Sequence, residues 1–149
     1  MRPDETRPTF VPAKAGTVLD FLSVTHKLRS QQTGGTIYLF EAAFEPGAGN
    51  RMHVHGREDE IGFVIEGALE VRLGDRSEIL ELGGIARLRE GIPHAIRNPR
   101  DTPSHYLFMA VPAGLDRWFD AVAKAEREGL LDEAMFQRLS QDSGIAWLE

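Results

Sequence analysis

Two histidines separated by a single residue, His53 and His55, are well placed in this sequence to bind a metal. In an extended strand, residues two apart project from the same face, so both imidazoles can reach one ion. The acidic run Glu58, Asp59 and Glu60 follows. If the strand that begins at Glu60 forms a hairpin with the histidine strand, its carboxylate comes back beside the imidazoles. One carboxylate with neutral imidazoles suits a first-row divalent cation.

The plain alternative is a solvated acidic turn beside two surface histidines, and for an isolated H-x-H pattern we would favour it. His94 shifts the balance towards a metal site, because it begins a second strand after the turn formed by residues 91–93. The chain has no cysteine, so imidazole and carboxylate must hold any transition metal. His26 and His105 lie outside these stretches, and we interpret them as structural or exposed residues.

Short strands separated by Gly, Pro and Asn are predicted over most of the chain. The clearest is 37–45, where Tyr38, Phe40, Ala42 and Phe44 fall on one face. The segment 17–24 is apolar enough for another strand, and 27–35 is interpreted as a loop. Further strands are predicted at 51–55, 61–65, 69–73, 78–82, 85–88, 95–98 and 106–111, with a tight hairpin turn at Gly74-Asp75. This series is typical of an all-β barrel or sandwich.

After Pro112 the periodicity becomes helical. Leu115, Trp118, Phe119 and Val122 follow an i, i+3, i+4, i+7 spacing, which predicts a helix through about residue 128. Asp132 is predicted to cap a second helix through residue 140, with Gly144 at its end. We therefore expect an N-terminal arm over 1–16, a barrel over 17–112 and a helical extension over 113–149 that packs on the barrel as one domain.

The two histidine stretches resemble the paired motifs of the cupin superfamily. The first motif is a glycine, five residues, H-x-H, three or four residues, a glutamate, six residues and a glycine; it is matched by Gly47, His53, His55, Glu60 and Gly67. The second is matched by Gly83, Gly91, His94 and Asn98. At its proline position this chain has Arg89, a change that concerns turn rigidity more than metal binding.

The resemblance implies a double-stranded β-helix, the cupin or jelly-roll barrel, with a short C-terminal helical tail. It also implies one divalent transition metal (Fe, Mn, Ni, Cu or Zn) bound inside by His53, His55, Glu60 and His94. Small size and a helical tail are similar to single-domain cupins described as quercetin-dioxygenase-like. Because such a label is a fold-level analogy, it does not identify a substrate.

Several residues beside the motifs are candidates for contact with a substrate. Arg51 has the same strand parity as the histidines, so it either faces the pocket or forms a salt bridge at the barrel mouth. Phe44, with Tyr38 and Phe40, either lines a cavity or belongs to the core. Asn98 either stabilises the barrel by hydrogen bonding or contacts a ligand. Strand parity does not settle whether Arg87 or Arg89 points inward, and Trp118 and Phe119 are interpreted as packing residues of the tail.

A site of three histidines and one glutamate leaves coordination positions open, which is typical of catalysis. We therefore expect a metal-dependent oxidoreductase, dioxygenase-like, acting on a small organic substrate, with Glu60 as its only evident acid or base. The alternatives are an isomerase, cyclase or lyase that uses the metal as a Lewis acid, a non-catalytic binding or sensing protein, and a metal-free barrel.

Composition narrows the partners of the chain. A net charge of −6 without a basic block argues against nucleic-acid binding. The N-terminal residues include acids and prolines where a signal peptide would be apolar, and the apolar runs are too short to span a bilayer. We expect a cytoplasmic protein without a membrane association. A homodimer is predicted, since the apolar segment 17–24 could add to a neighbouring sheet.

Overall fold

The computed structural model describes residues 9–149, so the predicted arm lies partly outside the described residues. Within that range the chain forms eleven strands and two α-helices. The strands are β1 (Thr17–Leu19), β2 (Val24–Leu28), β3 (Tyr38–Phe44), β4 (His53–His55), β5 (Asp59–Glu66), β6 (Ala68–Leu73), β7 (Arg76–Glu81), β8 (Ile85–Leu88), β9 (Ala95–Arg97), β10 (Ser104–Val111) and β11 (Ile145–Trp147). The helices are α1 (Leu115–Arg127) and α2 (Glu133–Asp142).

The strands form the two walls of a double-stranded β-helix. One wall is a six-stranded sheet in the order β1-β2-β3-β10-β5-β8. The other consists of β7-β6-β9 and β11-β4, which are linked by antiparallel bridges between His53 and His94 and between Gly49 and Arg97. Buried side chains from both walls form one apolar core, so the predicted barrel with a helical tail is confirmed.

Alternation in the central strands explains how the core forms. On β3, Tyr38, Phe40 and Ala42 are buried, as the period-two pattern predicts. On the neighbouring strand β10, Tyr106 and Phe108 are buried in the same way. The rings of Phe40 and Phe108 stack with their centroids 5.4 Å apart. These two strands therefore present an aromatic face to the barrel interior.

The predicted hairpin turn between β6 and β7 is confirmed. Leu73 pairs with Arg76 across Gly74-Asp75. Gly74 has a φ of 65°, a conformation that costs glycine little and most residues more. At the end of β5, Gly67 has a φ of 80°, and a Cβ there would lie 2.0 Å from Ser104 Oγ. The last glycine of the first motif is thus required by both backbone conformation and space.

Two predicted features are wrong. The segment 17–24 is not one strand: β1 and the start of β2 are separated by a 3-10 turn (Asp20–Leu22), and the chain reverses at Ser23, whose φ is 52°. The two short strands pair antiparallel with each other. The hairpin between β4 and β5 does not form either, because β5 pairs with β10 and β8 in the facing wall.

The predicted C-terminal helical tail is confirmed, and an additional strand follows it. Asp132 caps α2 by accepting a hydrogen bond from the Met135 N–H at 2.7 Å. After α2 the chain forms β11, which pairs antiparallel with β4. The sequence does not predict this strand, because three residues are too few to show a period. The extension is therefore joined to the barrel by sheet hydrogen bonds as well as by packing.

Polar contacts attach α1 to β2 and the turn that follows it. The Tyr38 hydroxyl donates to His26 Nδ1 at 2.6 Å, and His26 Nε2 donates to Asp120 Oδ1 at 3.0 Å. Asp116, which is buried, accepts from the Ser30 N–H at 3.1 Å and from the Ser30 hydroxyl. Burial lowers the pKa of His26, which favours the neutral ring that this geometry uses. The interpretation of His26 as a structural residue agrees with these contacts.

Neither helix in residues 9–149 has the length and apolar character needed to cross a bilayer.

Ser140 on α2 connects the two tryptophans of the chain, and its replacement should destabilise the fold. Its hydroxyl oxygen accepts from Trp118 Nε1 at 3.1 Å and from Trp147 Nε1 at 2.9 Å, and the residue is fully buried. Ser140→Ala leaves the buried Trp118 indole and the half-buried Trp147 indole without their acceptor. We expect a loss of roughly 2 kcal/mol or more, and a melting temperature lower by roughly 5 °C in calorimetry.

The matched control is Gln141→Ala, one residue further along the same helix at an exposed position. It should leave the melting temperature unchanged within error. Equal melting temperatures for both variants and the wild type would contradict the role given to Ser140.

Candidate metal centre

Three histidines lie on one wall because two chain segments pair there. The His53 N–H donates to the His94 carbonyl and the His94 N–H donates to the His53 carbonyl, both at 2.9 Å. Residues paired in this way lie directly opposite each other, with their side chains on the same face of the sheet. His55 follows His53 by two residues and shares that face. The predicted convergence of His53, His55 and His94 is found in the structure.

Glu60 reaches the histidines from the facing wall. It lies on β5, and its Oε2 is 2.8 Å from His55 Nε2. The four side chains are buried, and one ligand atom from each lies within 4.8 Å of the others. The placement of Glu60 beside the histidines is thus as expected, although it arises across the barrel interior and not through a hairpin.

Each imidazole is oriented by an acceptor on its outer side. His53 Nδ1 donates to the Arg51 carbonyl at 2.7 Å, and His94 Nδ1 donates to the Ile92 carbonyl at 3.1 Å. His55 Nδ1 donates to Glu58 Oε1 at 2.9 Å. A proton on each Nδ1 leaves the lone pair of each Nε2 for the interior of the site, which is how metal-binding histidines are commonly arranged.

The inner atoms have the features expected of ligands. His94 Nε2 is buried and has no hydrogen-bond partner among the described residues, a costly state unless something else binds it. His53 Nε2 and His55 Nε2 lie only 3.2 Å apart. Three imidazole nitrogens and one carboxylate fit a divalent first-row metal by ligand type and by charge.

The electrostatics of the cluster favour a cation at its centre. Burial lowers the pKa of His53 to about 4, and repulsion by His94 adds to this effect. Burial disfavours the charged form of His55 as well, but Glu60 and Glu58 outweigh it and raise the pKa of His55 to about 10. Burial likewise opposes ionisation of Glu60, but attraction to His55 holds its pKa below the usual range. The cluster therefore stabilises a positive charge between His55 Nε2 and Glu60 Oε2.

Glu58 is a functional candidate that the sequence does not single out among the three neighbouring acids. It is 5% exposed and accepts the His55 hydrogen bond, so it fixes the orientation of that ring. Its neighbour Asp59 points away from the site and binds the Arg87 guanidinium, at 2.8 Å from Nη2, and the Glu90 N–H. The spacing of three residues from His55 to Glu58 was visible in the sequence, but it does not show which acid turns inward.

A cavity of about 200 Å³ opens onto the cluster. His53, His55 and Glu60 contribute to its wall, and Asn50 is the other polar residue that lines it among the described residues. The remaining surface is apolar and strongly aromatic, with the rings of Phe40, Phe44, Phe108, Trp118, Phe119 and Trp147. The candidate metal centre is therefore accessible to a small molecule from one side.

The helical extension supplies half of these rings. Trp118 and Phe119 belong to α1, and Trp147 belongs to β11. The Trp147 ring lies against His53, with ring centroids 4.7 Å apart. From the sequence, Trp118 and Phe119 are interpreted as packing residues and Trp147 is not singled out. No local pattern connects residues so distant in sequence to the histidines.

The residues proposed for substrate contact have different positions. Phe44 lines the cavity. Arg51 lies outside it, where Nη1 is 3.4 Å from Glu133 Oε1 and the guanidinium carbon lies 5.2 Å from the centroid of Trp147. This is the salt bridge at the barrel mouth that was one of the two alternatives for Arg51. Neither Arg87 nor Arg89 lines the cavity, and both are exposed.

Asn98 is fully buried and binds the polypeptide backbone. Its Nδ2 donates to the carbonyl groups of Phe44 at 3.0 Å and Thr102 at 2.8 Å. Its Oδ1 accepts from the Arg100 N–H and from the Ser104 hydroxyl, each at 2.9 Å. These contacts use both ends of the amide, so Asn98 connects the loop after β9 to the end of β3.

Comparison with known proteins agrees with this geometry. A family model described as a cupin domain matches residues 40–110. KdgF from Halomonas sp. is 19% identical, with a TM-score of 0.62 over 74% of this chain and 99% of that chain. An RmlC-like cupin from Shewanella frigidimarina is 18% identical, with a TM-score of 0.61 over 74% and 96%. A predicted oxalate decarboxylase from Thermotoga maritima is 19% identical, with a TM-score of 0.57 over 60% and 78%.

At these identities the solved structures show the fold and nothing more specific. Among curated proteins, none matches the chain significantly. The matched residues extend from β3 to β10 and include the four clustered side chains. Since the matched domain, the barrel topology and the motif residues agree, residues 40–110 of the chain form a cupin domain.

Proposed function

We propose that this cupin is a metal-dependent enzyme, a dioxygenase-like oxidoreductase that acts on a small organic substrate. The observation that supports the proposal is the open side of the His53, His55, Glu60 and His94 cluster, which faces a cavity large enough for a small molecule. A purely structural metal site would be closed by protein ligands. When bound, the metal supplies coordination of substrate oxygen and, if it is redox-active, electron transfer.

The residues of the chain have separate roles in this proposal. The three histidines would hold the metal through Nε2, and Glu60 would hold it through one carboxylate oxygen. Glu60 is the one carboxylate that lines the cavity among the described residues, and as a metal ligand whose pKa lies below the usual range it is a weak base toward a substrate proton. The aromatic side chains exclude water and hold the substrate against the metal.

A Lewis-acid isomerase, cyclase or lyase is the alternative enzyme. Such reactions move protons on carbon and commonly need an acid or base beside the metal. Among the described residues that line the cavity, the polar group other than the proposed ligands is Asn50, an amide without acid or base function. This lining favours the oxidoreductase. A protein that binds or senses a ligand without turnover is the alternative from another class.

We also propose that the protein forms a homodimer through the edge of the six-stranded wall. β1 is the edge strand there, so its outer backbone groups lack a sheet partner among the described residues. Val18 on this strand and Phe21 in the turn after it are 59% and 54% exposed. An exposed strand edge with apolar side chains is a common place for a second copy to pair.

For the metal site, we expect His94→Ala and Glu58→Gln to lower metal binding to different extents. His94→Ala removes a ligand, so most of the metal should be lost from protein purified without chelator. Glu58→Gln keeps the hydrogen bond to His55 but removes its charge, so the affinity should fall by roughly tenfold. Elemental analysis and competition with a chromogenic chelator measure both effects.

The matched controls are His105→Ala and Asp59→Asn. His105 is exposed on β10, and Asp59 is the acid next to Glu58 that pairs with Arg87. Both variants should retain the metal content and affinity of the wild type. Equal metal content in His94→Ala and His105→Ala would exclude the assigned ligands, and equal affinity of Glu58→Gln and Asp59→Asn would exclude the role of Glu58.

For the activity, we expect the protein with its native metal to consume dioxygen in the presence of a suitable small substrate. An oxygen electrode follows the reaction while mass spectrometry looks for oxygen in the product. Zinc as the native metal, with a product that contains no added oxygen, would support the Lewis-acid alternative and contradict the oxidoreductase. Stoichiometric ligand binding with no product would contradict both enzymes.

For the dimer, light scattering should give a solution mass of about twice 16.6 kDa. Phe21→Asp places a charge on the proposed interface and should give a monomer. Leu82→Asp, at an exposed apolar position beyond β7, is the control and should remain dimeric. A monomeric wild type would refute the proposal.

A further inference from the structure

We infer that the cavity selects a small substrate with an apolar, preferably aromatic, body and a single anionic oxygen, which it places at the metal. This inference rests on the proposed function, because the metal is what receives the anionic oxygen. It goes further by naming the substrate class and by excluding molecules with a second charge or many hydroxyl groups.

Charge balance limits the substrate to one negative group. A divalent metal joined to the Glu60 carboxylate and neutral imidazoles leaves one positive charge, which one anionic oxygen neutralises. The buried Glu58 carboxylate behind His55 adds a negative charge to the site, which disfavours a second anion further. Among the described residues that line the cavity there is no lysine or arginine. Arg51 lies outside the cavity, where its guanidinium donates to the Glu133 carboxylate and to the Glu149 carbonyl. A second anionic group would therefore be buried without a partner.

The lining also disfavours a polyhydroxylated body. Apart from the proposed ligands, Asn50 is the polar residue that lines the cavity in residues 9–149, and its Oδ1 already accepts from the Ile96 N–H at 2.9 Å. The hydroxyl groups of a sugar would lose their water and find few partners. A flat apolar ring has no hydrogen bonds to water to lose, and it gains contact with the aromatic side chains of the cavity.

The aromatic walls have a continuous arrangement that matches a ring. Phe40 contacts Phe108 and Phe119, with ring centroids 5.4 and 5.1 Å apart. Trp118 contacts Phe119 at 5.0 Å, and Trp147 lies 4.7 Å from His53. The rings therefore extend from the barrel core to the ligand histidine. A cavity of about 200 Å³ is below the roughly 300–1,000 Å³ of sites for larger ligands, so one small ring system fits.

The two tryptophans of the chain give a direct measure of occupancy. The sequence contains only Trp118 and Trp147, and both line the cavity. A ligand that enters should change the intrinsic fluorescence of the protein without any reaction. Calorimetric titration of the same samples gives the affinity independently.

The experiment compares three probes on zinc-loaded protein, where no redox turnover interferes. The first probe is 4-methylbenzoate, with one carboxylate for the metal and an apolar far end. The second is terephthalate, which has a carboxylate in place of the methyl group. The third is glucuronate, with one carboxylate on a hydroxylated ring. We expect 4-methylbenzoate to bind about tenfold or more tightly than the other two.

Equal or tighter binding of terephthalate or glucuronate would overturn the inference. Metal-free protein, titrated with toluene, separates this failure from failure of the proposed function. Protein that takes up no metal but still binds toluene would refute the metal enzyme and leave the apolar cavity supported. Protein that holds metal but prefers glucuronate would refute the substrate class and leave the metal site intact.

A variant tests charge as the cause. Phe44 is half-buried at the cavity, so Phe44→Lys can place an ammonium group there while its stem covers apolar surface. It should bring the affinity for terephthalate up to that for 4-methylbenzoate, whereas Phe44→Leu should keep the wild-type ratio. A folded Phe44→Lys protein, checked by circular dichroism, that still rejects terephthalate tenfold would contradict the charge argument. The wild-type comparison decides the question if this variant does not fold.

Discussion

The paired backbone hydrogen bonds between His53 and His94 are the contact on which the rest of the centre depends. They join the strand of the first motif to the segment of the second and place two imidazoles on one face. In each case Nδ1 of the ring binds the carbonyl two residues earlier, at Arg51 and at Ile92. The polypeptide backbone itself therefore selects the tautomer of both rings. The carbonyl two residues before His55, at His53, accepts from the His94 N–H instead, and His55 Nδ1 donates to the Glu58 side chain.

Pairing with His55 explains why two buried carboxylates are tolerated in an otherwise apolar barrel. Glu58 and Glu60 are both inside, and each has His55 as a hydrogen-bonding partner. An unpaired carboxylate in this position would be costly. The pair with His55 offsets part of this cost, and a metal would offset more of it. The same acids that make the site unfavourable for anions in general make it favourable for a cation.

The sequence predicts the metal centre better than its surroundings, for a physical reason. Strand parity places His53 and His55 together, and motif spacing selects Glu60 among three neighbouring acids. Strand parity is a local relation. Motif spacing is longer in range, but glycine turns such as the one at Gly67 restrict the backbone conformations that can satisfy it. Other features depend on pairing between distant segments, which the sequence does not show. They are the wall to which β5 belongs, the division of 17–24 into two strands at Ser23, and the strand β11. Glu58 shows the same limit at the scale of one side chain, since only tertiary packing turns it towards His55.

The two-part construction of the cavity has a consequence for how the protein could diverge. The barrel holds the four clustered side chains, whereas the extension supplies Trp118, Phe119 and Trp147 and is attached through Asp116, Asp120 and β11. Substitutions in the extension can therefore change the shape of the cavity without touching a residue of the cluster. Related proteins could exchange one small substrate for another while keeping the inherited barrel and its chemistry. The sequence of the tail would then vary with the substrate, whereas the motif residues would stay the same.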